Sequence, residues 1–236
     1  MRVLITRPQA DAMELSAELV RRGHHVISEP LLQIGFLPGT ETPTDGVQGL
    51  VLTSANGARA AAARIRNKSL KAFAVGPTTA AELRANGFTN VSVSTGNGVP
   101  DLVKHIMAEA RADAGPLLHI TSAHTAGDLA GTLAEQGFQV RTLEAYTSTA
   151  AGQLSASTAA AVSAGRIDAA MFFSPRTAGT FSALVQAAGL APHCNSITAL
   201  ALSENVARSL HPLIFRKLLV AETTGTGAML DLLRAV

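Results

Sequence analysis

Phe172-Phe173-Ser174-Pro175-Arg176-Thr177-Ala178-Gly179-Thr180-Phe181 begins as an apolar strand and turns at once into a helix. Ser174 is a natural N-cap. Pro175 follows at the first helical position, where a missing N–H costs nothing. Backbone N–H groups at such a turn point past the strand end, beside the positive end of the helix dipole, and so suit an anion. The same device recurs at Thr6 before Arg7-Pro8, Ser54 before Ala55-Asn56-Gly57 and Gly76 before Pro77-Thr78-Thr79. It recurs again at Ser122 before Ala123-His124 and at Ser203 before Glu204-Asn205. One such turn is ordinary in an α/β protein, whereas a whole series points to a cleft lined with strand ends.

Outward from these turns, strands and helices alternate. Residues 2–6 read as a strand, and Gln9 to Arg22 as a helix with Ala12, Leu15, Leu19 and Val20 on its core face. Gly23 ends that helix, and His24 to Ile27 leads into a second strand. Glu29 to Ile34 is extended, because Pro30 disfavours helix. Gly49–Thr53, Lys71–Val75 and Val91–Ser94 read as strands. Ala55–Ile65, Thr78–Asn86 and Pro100–Ala110 read as the helices between and after them. Such alternation means parallel sheets covered by helices.

The pattern then restarts. Leu117-Leu118-His119-Ile120-Thr121-Ser122 resembles Val3-Leu4-Ile5-Thr6-Arg7, and Glu144-Ala145-Tyr146 falls where Glu29-Pro30-Leu31 fell. The offsets agree: 120 − 5 and 144 − 29 both give 115. Ala169 to Ser174 echoes Gly49 to Ser54, and Ala199 to Ser203 echoes Ala72 to Gly76. Thr224-Gly225-Thr226-Gly227 echoes the glycine-rich turn Gly96-Asn97-Gly98. The chain is thus two similar halves. Each has a short front piece and a longer back piece, joined by extended stretches at Glu29–Leu37 and Leu143–Ala151. Two similar α/β domains with a ligand cleft between them follow.

Composition narrows the function. Of 236 residues, 47% are hydrophobic and 15% charged, enough for two cores. Aromatics at 4% are too few for the stacking platforms that bind single-stranded nucleic acid. A net charge of +2 without charge blocks leans towards acidic ligands and falls short of a nucleic-acid footprint. The lone Cys194 excludes an internal disulfide framework and reads as an inert thiol, buried or half-buried. Apolar runs are too short for a signal peptide or the ~20 residues of a membrane helix, so a cytoplasmic protein is expected. There is no Walker-type loop. Gly225-x-Gly227 lacks the third glycine of a dinucleotide fingerprint, and the seven histidines show no metal spacing. His24 and His25 follow a helix end, where a partly charged imidazole is comfortable.

Three side chains stand out. Arg7 and Arg176 lie at helix starts, where a cation opposes the dipole; serving an anion would explain them. Tyr146, the only tyrosine, lies in an extended joint between Glu144 and Thr147. Position alone leaves two readings open for it: a linker residue packing its ring, or a proton donor at the cleft.

The ordered series Leu4-Ile5-Thr6-Arg7-Pro8, Leu52 to Gly57, Ala74 to Ala80, Glu144-Ala145-Tyr146-Thr147 and Phe172-Phe173-Ser174-Pro175 resembles the uroporphyrinogen-III synthase family over nearly the whole chain. The resemblance implies two flavodoxin-like parallel-sheet domains joined by a two-stranded linker, with the active-site cleft between them. It implies a crossed arrangement, 1–34 plus 152–236 against 38–146, with linkers near 30–38 and 144–152. A sequential arrangement fits the repeat equally well. The implied reaction is a lyase step of heme biosynthesis. Hydroxymethylbilane loses its terminal hydroxyl as water and closes to uroporphyrinogen III, with inversion of the last pyrrole.

No metal or cofactor takes part in that chemistry. Tyr146 matches the family's candidate for assisting the hydroxyl's departure, and Thr79 matches a threonine beside the cleft. With the turns above, the candidate substrate-binding set is Thr6, Arg7, Ser54, Asn56, Gly76, Thr79, Ser122, Ser174, Arg176, Ser203 and Gly225. The second-half equivalent of Thr79 is Val206, so a hydroxyl contact is lost there, with Ser203 or Asn205 as substitutes. A monomer is expected, with hydroxymethylbilane synthase as a candidate partner and neither nucleic acid nor membrane involved. Two competing readings are a non-catalytic α/β module binding a small anion and a regulatory protein with a degenerate synthase-like domain.

Overall fold

The computed structural model of the chain describes residues 1–95, 98–123, 128–223 and 225–236. Strand β1 (Arg2–Ile5), helix α1 (Gln9–Arg21) and strand β2 (His25–Ser28) come first. Next are β3 (Leu32–Phe36), β4 (Gly49–Leu52), α2 (Ala55–Arg64), β5 (Ala72–Ala74), α3 (Pro77–Ala85) and β6 (Val91–Val93). Helix α4 (Val99–Glu109), β7 (Leu117–Ser122), α5 (Leu129–Glu135) and β8 (Val140–Ala150) follow. The last part holds α6 (Ala156–Ser163), β9 (Ala169–Phe172), α7 (Pro175–Ala187), a 3₁₀ helix at Ala191–Ser196 and β10 (Thr198–Ala201). Helix α8 (Glu204–Arg208), β11 (Lys217–Val220) and α9 (Thr226–Leu233) complete it.

The chain divides into two compact units, Met1–Gln33 with Thr149–Val236, and Ile34–Ser148. In the first, the strand order is β11-β10-β9-β1-β2, all parallel. Strands β1, β9 and β10 are apolar on both faces because helices cover both sides, as parallel sheets require. Val3, Ile5, Met171 and Leu200 face Leu15, Leu19 and Met229 of α1 and α9. Leu4, Ala170, Phe172 and Ala199 face the other way, onto Val162, Phe181 and Val206 of α6, α7 and α8. Val20 differs from expectation. It is 60% exposed, since it falls one step round α1 from Leu19 and off the buried stripe.

In the second unit the order is β3-β8-β7-β4-β5-β6. Leu50, Leu52, Leu118 and Ile120 pack on α2 and α3, while Val51, Phe73 and Leu117 pack on α4 and α5. Under the internal repeat, β7, β8, β4, β5 and β6 stand for β1, β2, β9, β10 and β11, so the two sheets share one order. They also share a register. Leu4 pairs with Ile27, and His119, 115 residues on from 4, pairs with Thr142, 115 on from 27.

The two joints are not plain linkers. Thr147 Oγ1 donates to the Gly35 carbonyl and the Leu37 N–H to the Ala145 carbonyl, while the Ala151 N–H donates to the Leu31 carbonyl. The stretch expected as a separate joint at Leu143–Ala151 continues the preceding strand, making β8 eleven residues long.

Candidate active site around Tyr146

In β8 the alternation of the pleat breaks at Ala145-Tyr146, where two consecutive residues are both buried. The cause is a β-bulge against β7: Thr121 pairs with Glu144 but Ser122 with Tyr146, so Ala145 is the extra residue. The bulge turns the phenol onto the α2 face of the sheet, where Tyr146 is 7% exposed among Leu52, Ala58 and Ile120. Its hydroxyl lies 2.8 Å from Ser54 Oγ.

Ser54 is the N-cap of α2. Its Oγ accepts the Gly57 N–H at 3.0 Å. A side chain at Gly57 would be crowded, because a Cβ would stand 3.1 Å from the Ile120 carbonyl oxygen. Beyond the cap, Asn56 Oδ1 accepts from Arg59, and Arg59 forms a 2.7 Å ion pair with Glu82 of α3. Helix α3 starts at Gly76, which carries no side-chain cap, and Thr79 in its first turn is buried. The second unit thus brings Ser54 and Tyr146 together, with Asn56 in the first turn of the same helix and Gly76 and Thr79 at the next strand end.

The first unit has the corresponding turns without the phenol. Ser174 caps α7, accepting the Thr177 N–H at 3.2 Å, and its hydroxyl lies 2.7 Å from Thr177 Oγ1. Leu31, fully buried, stands where the repeat puts Tyr146. Arg176 is exposed in the first turn of α7. Ser203 caps the short α8 through the Val206 N–H. Val206, the counterpart of Thr79, is 1% exposed inside the core. Gly225 caps α9 at φ 120°, a conformation that a side chain would strain.

Two expected turns are built differently. Thr6 does not cap α1: its Oγ1 donates to the Met171 carbonyl at 2.9 Å in the buried sheet, and Pro8 takes the cap position. Arg7 lies 3.7 Å from Asp11 and over the Phe173 ring, so its charge is partly answered within the fold. Ser122 is the last residue of β7, and the cap of α5 is Asp128, accepting from Gly131. His124 and the tip Gly96-Asn97, like Thr224, lie outside the described residues.

The remaining chemistry is quiet. Burial pushes the Cys194 thiol up to about 11, as an inert cysteine requires. His24 is not a comfortable cation: burial, then the charges of the N-terminus and Arg22, lower its proton affinity. Among the described residues no group of three or more His, Cys, Asp or Glu could hold a metal ion. No helix of the described residues is long and apolar enough to cross a membrane. A cavity of about 470 Å³ lined by Met1, Arg22, His24 and Leu233 lies in the first unit. It sits at the amino-terminal end of β1, whereas ligands of such sheets bind at the carboxyl ends. Arg59, which ties the α2 turn to α3, lies outside every motif read from the sequence. Gly57 closes the stretch Leu52 to Gly57, and the offset between the two serine caps sets it against Thr177.

The fold and the strand-end turns define a class: cofactor-type motifs are missing, and a doubled parallel α/β architecture presents capped helix starts and one buried phenol. Comparison then gives the particular family. A family model described as uroporphyrinogen-III synthase matches residues 13–231. The chain belongs to the uroporphyrinogen-III synthase family, lyases of tetrapyrrole biosynthesis. It is similar to the Helicobacter pylori uroporphyrinogen-III synthetase structure at 16% identity, covering 100% of this chain and 99% of that one, with a TM-score of 0.67. A mutant uroporphyrinogen III synthase of Thermus thermophilus aligns at 18% identity, over 100% and 98% of the two chains, with a TM-score of 0.58. At these identities the likeness concerns the fold. No curated protein matches by sequence.

Proposed function

We infer that the chain closes hydroxymethylbilane to uroporphyrinogen III. The observation that carries this reading is the family match over 13–231, which spans both units. In the reaction, the terminal hydroxymethyl oxygen takes up a proton and leaves as water while the pyrrole nitrogen pushes in its electron pair. The pyrrole at the far end attacks the resulting methylene carbon through the α-carbon that carries its existing bridge, which makes the spiro centre. The older bridge bond then breaks, and its methylene re-bonds to the free α-carbon of the same ring. That carbon gives up its proton, leaving the ring inverted. The balance is one water lost.

Tyr146 is the proposed donor of the hydrogen bond to the departing hydroxyl. The substrate's carboxylates are matched by the helix starts at Gly76, Ser174, Ser203 and Gly225 and by Asn56, Thr79 and Arg176. Thr6, Arg7 and Ser122 belong to this set through their backbone positions at strand ends. The reading includes a monomer in the cytoplasm that receives substrate from hydroxymethylbilane synthase. It includes the division at 1–34 plus 152–236 against 38–146. The test is incubation with hydroxymethylbilane, oxidation of the product and separation of isomers. Type III is expected, and type I alone, the spontaneous product, overturns the reading.

A further inference from the structure

We propose that Ser54 is a positioning residue that fixes the direction in which the Tyr146 phenol presents its proton. This rests on the synthase reading above. Both units carry a serine cap at the same place, yet its hydroxyl is used differently. In the first unit Ser174 has a local companion, Thr177 Oγ1 at 2.7 Å. In the second unit the equivalent third position is Gly57, where a Cβ would stand 3.1 Å from the Ile120 carbonyl oxygen. With no local hydroxyl in competition, Ser54 Oγ meets Tyr146 at 2.8 Å, and the β-bulge in β8 delivers the phenol to it.

The capping bond anchors this contact. Ser54 Oγ is held by the Gly57 N–H, so it is a fixed point on the start of a helix rather than a rotating hydroxyl. The pair holds two hydroxyl protons and the bond between them uses one. In the proposed arrangement Ser54 donates to the phenol oxygen, so that the Tyr146 proton is the one directed to an acceptor outside the pair. The leaving hydroxyl of the substrate is such an acceptor. Holding the phenol in one rotamer and one hydrogen arrangement is a positioning effect, and small misplacements of a catalytic group have large kinetic consequences.

The experiment compares Ser54→Gly, Ser54→Thr, Tyr146→Phe and the double variant Ser54→Gly/Tyr146→Phe. Glycine is itself a fair N-cap, so Ser54→Gly removes the hydroxyl while leaving the helix start. The expected result is a fall in kcat of about 10- to 100-fold for Ser54→Gly with KM little changed. Ser54→Thr recovers most of the activity. In the Tyr146→Phe background, Ser54→Gly brings no further loss, because the residue acts through the phenol. Unchanged kcat in Ser54→Gly, or an equal loss in both backgrounds, overturns the proposal.

A second readout is independent of turnover. The chain has one tyrosine and no tryptophan, so its near-ultraviolet circular dichroism band from the phenol reports Tyr146 alone. That band changes in Ser54→Gly and returns in Ser54→Thr if the bond orients the ring; an unchanged band also overturns the proposal. If the wild type yields only type I product, the synthase reading falls with the catalytic role, while the band still decides whether Ser54 orients the phenol.

Discussion

At the scale of single residues, Tyr146 carries the most chemistry. Tyr146→Phe keeps the ring in its apolar surroundings and removes only the hydroxyl. Its kcat should fall by about 100-fold, the low end of general acid catalysis, with the far-ultraviolet spectrum intact. Steady-state assays of isomer III check this, and wild-type turnover would return Tyr146 to a packing role. His119 makes a prediction of another kind. It is buried in β7 with Nε2 unpartnered, and burial pushes its pKa down to about 4, against 6.5 for an ordinary imidazole. Between these values the unfolded chain binds the proton and the folded one does not. Stability is therefore full above about pH 6.5 and is lost as pH falls towards 4, by about 3 kcal/mol in all. Denaturant midpoints at about pH 7 and pH 4.5 should differ less in His119→Leu than in the wild type. Neither the Tyr146–Ser54 bond nor the state of His119 was legible beforehand. A one-residue bulge decides the first, and the packing of α4 and α5 over Val51 and Phe73 decides the second. Val20 was misplaced for the converse reason: apolarity marks a face only where a neighbour covers it.

Helix starts were the most legible elements. Ser54, Ser174 and Ser203 each cap as their position before a helical run predicts, because the capping bond is local in sequence. Thr6 does not cap because its hydroxyl donates to the Met171 carbonyl, and Ser122 does not because β7 runs through it and pairs it with Tyr146. Ser155 went unread as a cap, although it both caps α6 and hydrogen-bonds Glu29. The buried Glu29 carboxylate accepts from the Ser155 N–H, Ser155 Oγ and Thr158 Oγ1, pinning α6 to the end of β2. Glu29→Gln trades a charged acceptor for a neutral amide that must also place two donors. A loss of about 2 kcal/mol in urea unfolding is expected. Two glycines in helices should respond oppositely to alanine. In Gly57→Ala the new methyl meets a strand carbonyl at 3.1 Å that cannot step aside, so the melting temperature falls. In Gly227→Ala of α9 nothing lies within 4 Å, and the gain in helix propensity, about 0.5–1 kcal/mol, should raise it.

For the whole molecule, the doubling was visible in the constant offset of 115 between Ile5 and Ile120 and between Glu29 and Glu144. Which front piece joins which back piece was not, because strands β1 and β7 are interchangeable as apolar runs. The second unit, Ile34–Ser148, is continuous in sequence and holds its own two-sided core. Expressed alone it should keep a protected amide core by hydrogen exchange. Residues 149–236 alone should not, because removing β1 bares the edge of β9, whose four residues are all buried. Addition of a peptide of residues 1–33 should restore order, and failure to do so would mean that the first unit depends on more than its own strands. The pairing of Ile5 with Met171 sets a clock on the ribosome. The amino-terminal strand must wait for 171 − 5 = 166 further residues, roughly 8 to 33 s of synthesis at typical elongation rates. Throughout that interval the middle of the chain can fold while Val3-Leu4-Ile5 stays unburied, so nascent chains stalled between those points should be bound by holdase chaperones through their first few residues.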